Sequence, residues 1–194
     1  MAIRPVAGQP EEEAVQTHLR RHDRDRALVA ASGLWGDELG QFCMALLDSQ
    51  PEAERVVSET LLAFHHMASR LCGLPLRMWL FGRALERCRE RRPQTGRHRL
   101  AHAEQPGRLS PPSTTASLAK RVGPAPKPAT LRTWLERLPS DQREIALLRY
   151  LARLDYPAIA SLCEASPETV QRKLGRALLD LRQEALEAGG NALP

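Results

Sequence analysis

The chain's most specific pattern of groups able to bond to bases and phosphates lies in Tyr156–Leu181. Glu168, Thr169, Gln171, Arg172, Lys173 and Arg176 fall on one side of a helix at 3.6-residue spacing, with Val170 and Leu174 on the other. Arg and Lys donate to guanine edges and phosphate oxygens, and Gln pairs with adenine. Ser166-Pro167-Glu168 is a start signal, with a capping hydroxyl, a first-turn proline and an acid at the positive end of the helix dipole. A second basic set precedes it. Between Arg77 and Arg99 stand eight arginines against two glutamates, and Arg83, Arg87 and Arg91 repeat every fourth residue, so they share a helix face. With Arg77 and the aromatic Trp79 alongside, such a groove suits single-stranded nucleic acid, although Trp79 itself fits the core of a bundle better.

Other chemistries find little support. His65 and His66 are adjacent on a helix and diverge, and His98 and His102 lack a companion cysteine pair, so no zinc spacing exists. Cys43, Cys72, Cys88 and Cys163 are scattered, form no CxxC and read as small core residues with reduced thiols. No phosphate loop, nucleophile elbow or catalytic carboxylate pair stands out, which predicts a non-enzyme without metal or cofactor. No apolar run reaches membrane-spanning length and no signal-peptide core follows the first Met, so a cytoplasmic protein is expected. The net charge of +5 points to a polyanionic partner.

These groups need scaffolds, and the sequence predicts an all-α fold. Leu and Ala dominate the apolar positions and aromatics make up only 4%. The stretch 93–128 carries seven prolines among Ser, Thr, Gly and basic residues, with no apolar periodicity, and reads as a flexible linker. It divides the chain into a tail (1–11), whose acidity argues against order, a helical domain (12–92), a second small helical domain (129–188) and a terminal tail (189–194). In the first domain Asp23 caps a helix that Gly33 closes, a second helix covers Gly36–Leu47, and Ser49-Gln50-Pro51-Glu52 opens a third with Val56, Val57, Thr60, Leu61 and Phe64 inward. Gly73 and Pro75 break the chain before a last helix from about Leu76 to Arg92. In the second domain a short helix spans Ala129–Leu138, and Pro139-Ser140-Asp141 stops it and caps the next. Two short helices then cross at Ala160, separated near Glu164-Ala165-Ser166, in a helix-turn-helix pattern.

Leu138-Pro139-Ser140-Asp141-Gln142-Arg143-Glu144 with Leu148-Arg149-Tyr150, followed by Ile159-Ala160, Thr169-Val170 and Arg176-Ala177-Leu178, resembles region 4 of bacterial sigma factors. Pro51-Glu52-Ala53-Glu54, Glu59–Phe64 and Leu76–Phe81 resemble region 2 of the same family. The lack of a folded region between them resembles the extracytoplasmic-function group. The resemblance implies that the helix from Pro167, through Glu168, Thr169, Gln171, Arg172, Lys173 and Arg176, recognises the promoter −35 element. It implies that Arg77, Trp79, Arg83, Arg87 and Arg91 meet the melted −10 element. It also implies that Glu52, Glu54, Arg55, Ser58 and Glu59 meet the clamp of the largest subunit of core RNA polymerase, with the flap as a second contact. Promoter DNA and an anti-sigma factor are the other implied partners.

Two departures mark this chain. Arg55 and Ser58 stand where the family's acidic helix has an acid and an amide, and Ala84-Leu85-Glu86 replaces Ala-Arg-Asn. Charge reversal at a charged interface is costly. It motivates an alternative, a sigma-like regulator that binds an anti-sigma factor or DNA without supporting initiation. In the family's turn, where glycine is common, this chain has Glu164. A response-regulator-type activator is the weakest reading, since the N-terminal half lacks the alternating strands of a receiver domain.

Overall fold

The computed structural model describes residues 10–92, 135 and 137–190, and every regular element among them is a helix. The linker at 93–128, both chain ends and nearly all of the short helix expected over Ala129–Leu138 lie outside the described residues. Four helices build the N-terminal bundle: α1 (Pro10–Arg20), α2 (Arg24–Leu47), α3 (Gln50–Leu71) and α4 (Leu76–Arg91). Among the described residues, three further helices lie in the C-terminal domain: α5 (Ser140–Tyr150), α6 (Tyr156–Leu162) and α7 (Pro167–Gly190). No helix among the described residues is long and apolar enough to cross a membrane.

The break expected at Gly33 does not occur. The Asp23 carboxylate accepts from the Arg26 amide at 3.1 Å and starts α2, which continues unbroken to Leu47. Ala27, Ala31, Trp35, Leu39, Phe42, Cys43 and Leu46 form one buried stripe that runs past Gly33, Gly36 and Gly40. A glycine in a helix interior costs about 1 kcal/mol relative to alanine. Burying Trp35 and its neighbours on that stripe outweighs it.

The acidic run is helical from Pro10 onward, so α1 begins inside the tail expected at 1–11, of which residues 1–9 lie outside the described residues. Val15 and Leu19 are buried on the bundle, and the polar side chains serve the α3–α4 turn. Gln16 donates to the Leu74 carbonyl at 2.8 Å and accepts from the Gly73 amide at 2.9 Å, while Glu12 accepts from the Leu76 amide at 2.9 Å. Pro75 precedes α4 and has no side-chain cap to offer, so the Glu12 carboxylate takes that role at the positive helix end. Gly73 occupies the left-handed region at φ 77°, and the chain turns there as expected.

In the bundle core, Phe42 meets Phe81 edge-to-face with centroids 5.3 Å apart. Val56, Thr60 and Phe64 of α3 are buried as expected, whereas Val57 and Leu61 are only half-buried. In the C-terminal domain Ile145, Leu148, Ile159, Val170, Leu174 and Ala177 are buried, and the apolar core of the two domains is continuous. The helix after the turn is not short, since α7 runs 24 residues.

Candidate nucleic-acid interface

The helix-turn-helix is built from local caps. Asp155 accepts from the Ala158 amide at 2.9 Å to start α6, with Pro157 in the first turn. At its other end the Cys163 amide bonds the Ile159 carbonyl and the Ala165 amide bonds the Ala160 carbonyl at 3.0 Å. That closure requires a left-handed residue between them, and Glu164 supplies it at φ 50°. The glutamate therefore adopts the conformation that glycine takes without steric cost. Ser166 Oγ then accepts from the Thr169 amide at 3.2 Å and caps α7, as the start signal indicated.

The side chains of the recognition surface diverge in exposure. Pro167, Glu168, Gln171, Arg172 and Arg176 are exposed, while Thr169 and Lys173 are half-buried. Glu168's own backbone N–H and the Ser166 hydroxyl hold its carboxyl below the usual range. Lys173 Nζ lies 2.6 Å from Asp141 Oδ2 on α5. Burial pushes the Asp141 carboxyl up, but the Lys173 ammonium and the Gln142 amide outweigh it and hold it below its ordinary value. The exposed cations on this face are thus Arg172 and Arg176, beside Gln171.

In the N-terminal bundle the arginines of α4 are engaged within the chain. Arg87 Nη1 donates to Glu59 Oε2 at 2.5 Å, Arg91 Nη2 to Glu59 Oε1 at 2.6 Å, and Arg91 Nε lies 3.2 Å from Glu52 Oε2. The −10 set and the polymerase set named from the sequence therefore meet through Glu52 and Glu59. Arg83 pairs with Glu86 at 2.6 Å one turn along α4. Trp79 is half-buried against Phe64, with centroids 6.3 Å apart. Glu54, Arg55 and Ser58 remain exposed on α3, with Arg55 3.5 Å from Glu52 and Ser58 Oγ donating to the Glu54 carbonyl at 2.9 Å. Leu62, 54% exposed, extends that outward face by one turn.

Sequence reading missed the groups that tie α4 to the C-terminal domain. Arg77 bonds the Glu38 carboxylate and donates from Nε to the Ala152 carbonyl at 2.5 Å. Arg89 Nη2 stands 2.7 Å from Glu144 Oε2, and Arg92 Nη1 3.2 Å from Glu144 Oε1. The one available signal was Glu144 itself, an acid among apolar residues on the inward side of a helix. Among the described residues no group of three or more His, Cys, Asp or Glu is arranged to hold a metal.

Residues 129–181 match the family model "Sigma-70, region 4". No curated protein matches the chain in sequence. Among solved structures, the chain resembles CnrH in complex with the cytosolic domain of CnrY at a TM-score of 0.64 and 20% identity. That match covers 92% of this chain and 98% of CnrH, and at this identity the likeness is one of fold.

Proposed function

We propose that this chain, with a sigma-70 region 4 at 129–181 and the fold of an extracytoplasmic-function sigma factor over nearly its whole length, directs core RNA polymerase to promoters. Such factors carry no catalytic step of their own, so the chemistry is recognition. The observation that carries the reading is the outward face of α7, where Gln171, Arg172 and Arg176 project from a capped helix-turn-helix. This face reads the −35 element, with Glu168 and Thr169 at the base-proximal end and Lys173 supporting the helix. α4 engages the −10 region through Arg77, Trp79, Arg83, Arg87 and Arg91. The outward side of α3, Glu54, Arg55 and Ser58 with Glu52 and Glu59 behind, docks on the polymerase clamp, and the C-terminal domain meets the flap. The site of action is the cytoplasm. The CnrH structure is a complex with the cytosolic domain of CnrY, and a regulatory protein of the anti-sigma type is proposed as a partner here as well.

One observation favours the second reading, a regulator that does not support initiation. Glu52 and Glu59 are held by Arg91 and Arg87, which leaves Glu54 as the outward acid of this stretch, beside the reversed charge of Arg55. Co-elution of the full chain with purified core polymerase tests the choice. A complex that forms with the native chain, and tightens with Arg55→Asp, Ser58→Gln, supports the initiation factor. No complex with either form favours the regulator.

A further inference from the structure

The arginines of the N-terminal bundle divide into two groups. Those of α4 are engaged within the chain: Arg77 by Glu38, Arg83 by Glu86, Arg87 and Arg91 by Glu59, and Arg89 and Arg92 by Glu144. An arginine held by a carboxylate presents a dipole more than a unit charge, so it draws a third partner weakly. The second group stands at the corner where α1 meets α2.

That corner is a closed turn. The Asp23 amide bonds the His18 carbonyl and the His22 amide bonds the Leu19 carbonyl, each at 3.0 Å, with His22 left-handed at φ 56°. Arg21 and Arg24 therefore flank a turn fixed by its own backbone. The last turns of α3 lie against it. Ala68 and Ser69 line a shallow hollow with Leu19, His22 and Arg24, and Arg70 follows at the same end of the bundle.

The acids nearby already have partners. Glu13 pairs with Arg20, Asp23 with Arg26 at 3.4 Å, and Asp25 with His65 at 2.9 Å. Arg21, Arg24 and Arg70 are exposed, and among the described residues their side chains have neither an ion pair nor a hydrogen bond. The unpaired positive charge of the bundle is thus gathered at this corner, away from the arginine row of α4 that sequence spacing singles out.

Three free guanidinium groups at one end of the bundle fit a partner with closely spaced negative charge. A protein partner would also call for an apolar centre to the contact, and the apolar residues of the hollow, Leu19 and Ala68, are buried. A single nucleic-acid strand calls for exposed rings on which bases stack. No Phe, Tyr or Trp described in the bundle is exposed. Duplex DNA needs neither feature. It carries one charge per roughly 1.7 Å of axis, and arginine donors bind its phosphate oxygens whatever the sequence.

We propose that the α1–α2 corner, through Arg21, Arg24 and Arg70, is a sequence-independent contact for the phosphates of duplex DNA. It is separate from the α7 face and from the α4 set. The proposal goes beyond the initiation reading and does not depend on it.

Salt titrations with the full chain test it without polymerase. The probe is a short fluorescent duplex of arbitrary sequence, and the background carries Arg172→Ala, Arg176→Ala to remove the α7 contribution. Adding Arg21→Gln, Arg24→Gln, Arg70→Gln should flatten the plot of log affinity against log salt by about 2.7 units, the share of three phosphate contacts. Between about 50 and 200 mM salt, the background chain should then lose about 40-fold more affinity than the variant. Lysine at the same three positions should keep most of the slope, because a phosphate contact needs the charge and not the guanidinium shape. An unchanged slope in the glutamine variant would overturn the proposal. So would an equal loss with lysine, which would mark a structural role. A loss confined to the single strand of the same sequence would overturn the duplex assignment. None of these results bears on promoter-directed transcription, so the corner contact and the initiation reading fail separately.

Discussion

Lys173 on α7 is tied to Asp141 in the first turn of α5, with Nζ 2.6 Å from Oδ2. Asp141 also accepts from the Gln142 amide at 2.9 Å, so one carboxylate bonds both within the first turn of α5 and across to α7. A residue that sequence pattern places among the base readers is thereby held as a strut. Under the proposed −35 reading, readout would fall to its exposed neighbours Arg172 and Arg176.

Asp141→Asn should weaken the C-terminal domain by on the order of 0.5 kcal/mol at neutral pH, the scale of a partly exposed pair. The sign with pH follows from the lowered carboxyl. Stability from such a group is present above the unfolded value, near 3.9 for Asp, and is lost as pH falls through the lower folded value. Thermal melts from pH 7 down to 2.5 check this. The gap between native chain and variant should close at the acid end.

Glu164→Gly should stabilise the helix-turn-helix by about 1 kcal/mol, because a side chain at φ 50° carries a steric cost that glycine lacks. The midpoint should rise by a few degrees in calorimetry. DNA affinity should not fall, since Glu164 belongs to the turn and not to the α7 face.

Gly33→Ala should stabilise the N-terminal bundle by about 1 kcal/mol. The position is interior to α2 and an added Cβ meets nothing within 4 Å. Gly73→Ala should go the other way, since φ there is 77°. Denaturant midpoints of the two variants, shifted in opposite senses, check the unbroken helix.

The C-terminal domain was largely legible in sequence because its determinants are local. Ser166 and Pro167 act within one turn of where they stand, and Ile159, Ala160, Val170 and Leu174 show their spacing directly. The N-terminal bundle was legible in its apolar faces but not in its helix ends. Gly33 and Gly36 read as a break because local propensity is silent about Trp35, whose burial keeps the helix intact. Least legible was α4. Its arginines have the spacing of a solvated basic face, yet Arg77 ends on a carbonyl 75 positions away and Arg89 on a carboxylate 55 positions away. No periodicity encodes such pairings.

Arg172→Ala and Arg176→Ala should each lower affinity for a −35 duplex, by about 1–3 kcal/mol if the side chain reads a guanine. A side chain that meets phosphate alone should lower affinity across all sequences and reduce the salt slope by about one unit. Titrations with fluorescent duplexes at several salt concentrations separate the two. Lys173→Ala should cost folding stability more than sequence discrimination, given its bond to Asp141.

Run-off transcription with purified core polymerase and genomic DNA fragments, with and without the full chain, tests the central claim most directly. Discrete transcripts that require the chain, and disappear with Arg172→Glu, Arg176→Glu, are the expected result. Absence of any chain-dependent transcript, together with no complex between chain and core, would contradict an initiation factor and leave a DNA-binding regulator in its place.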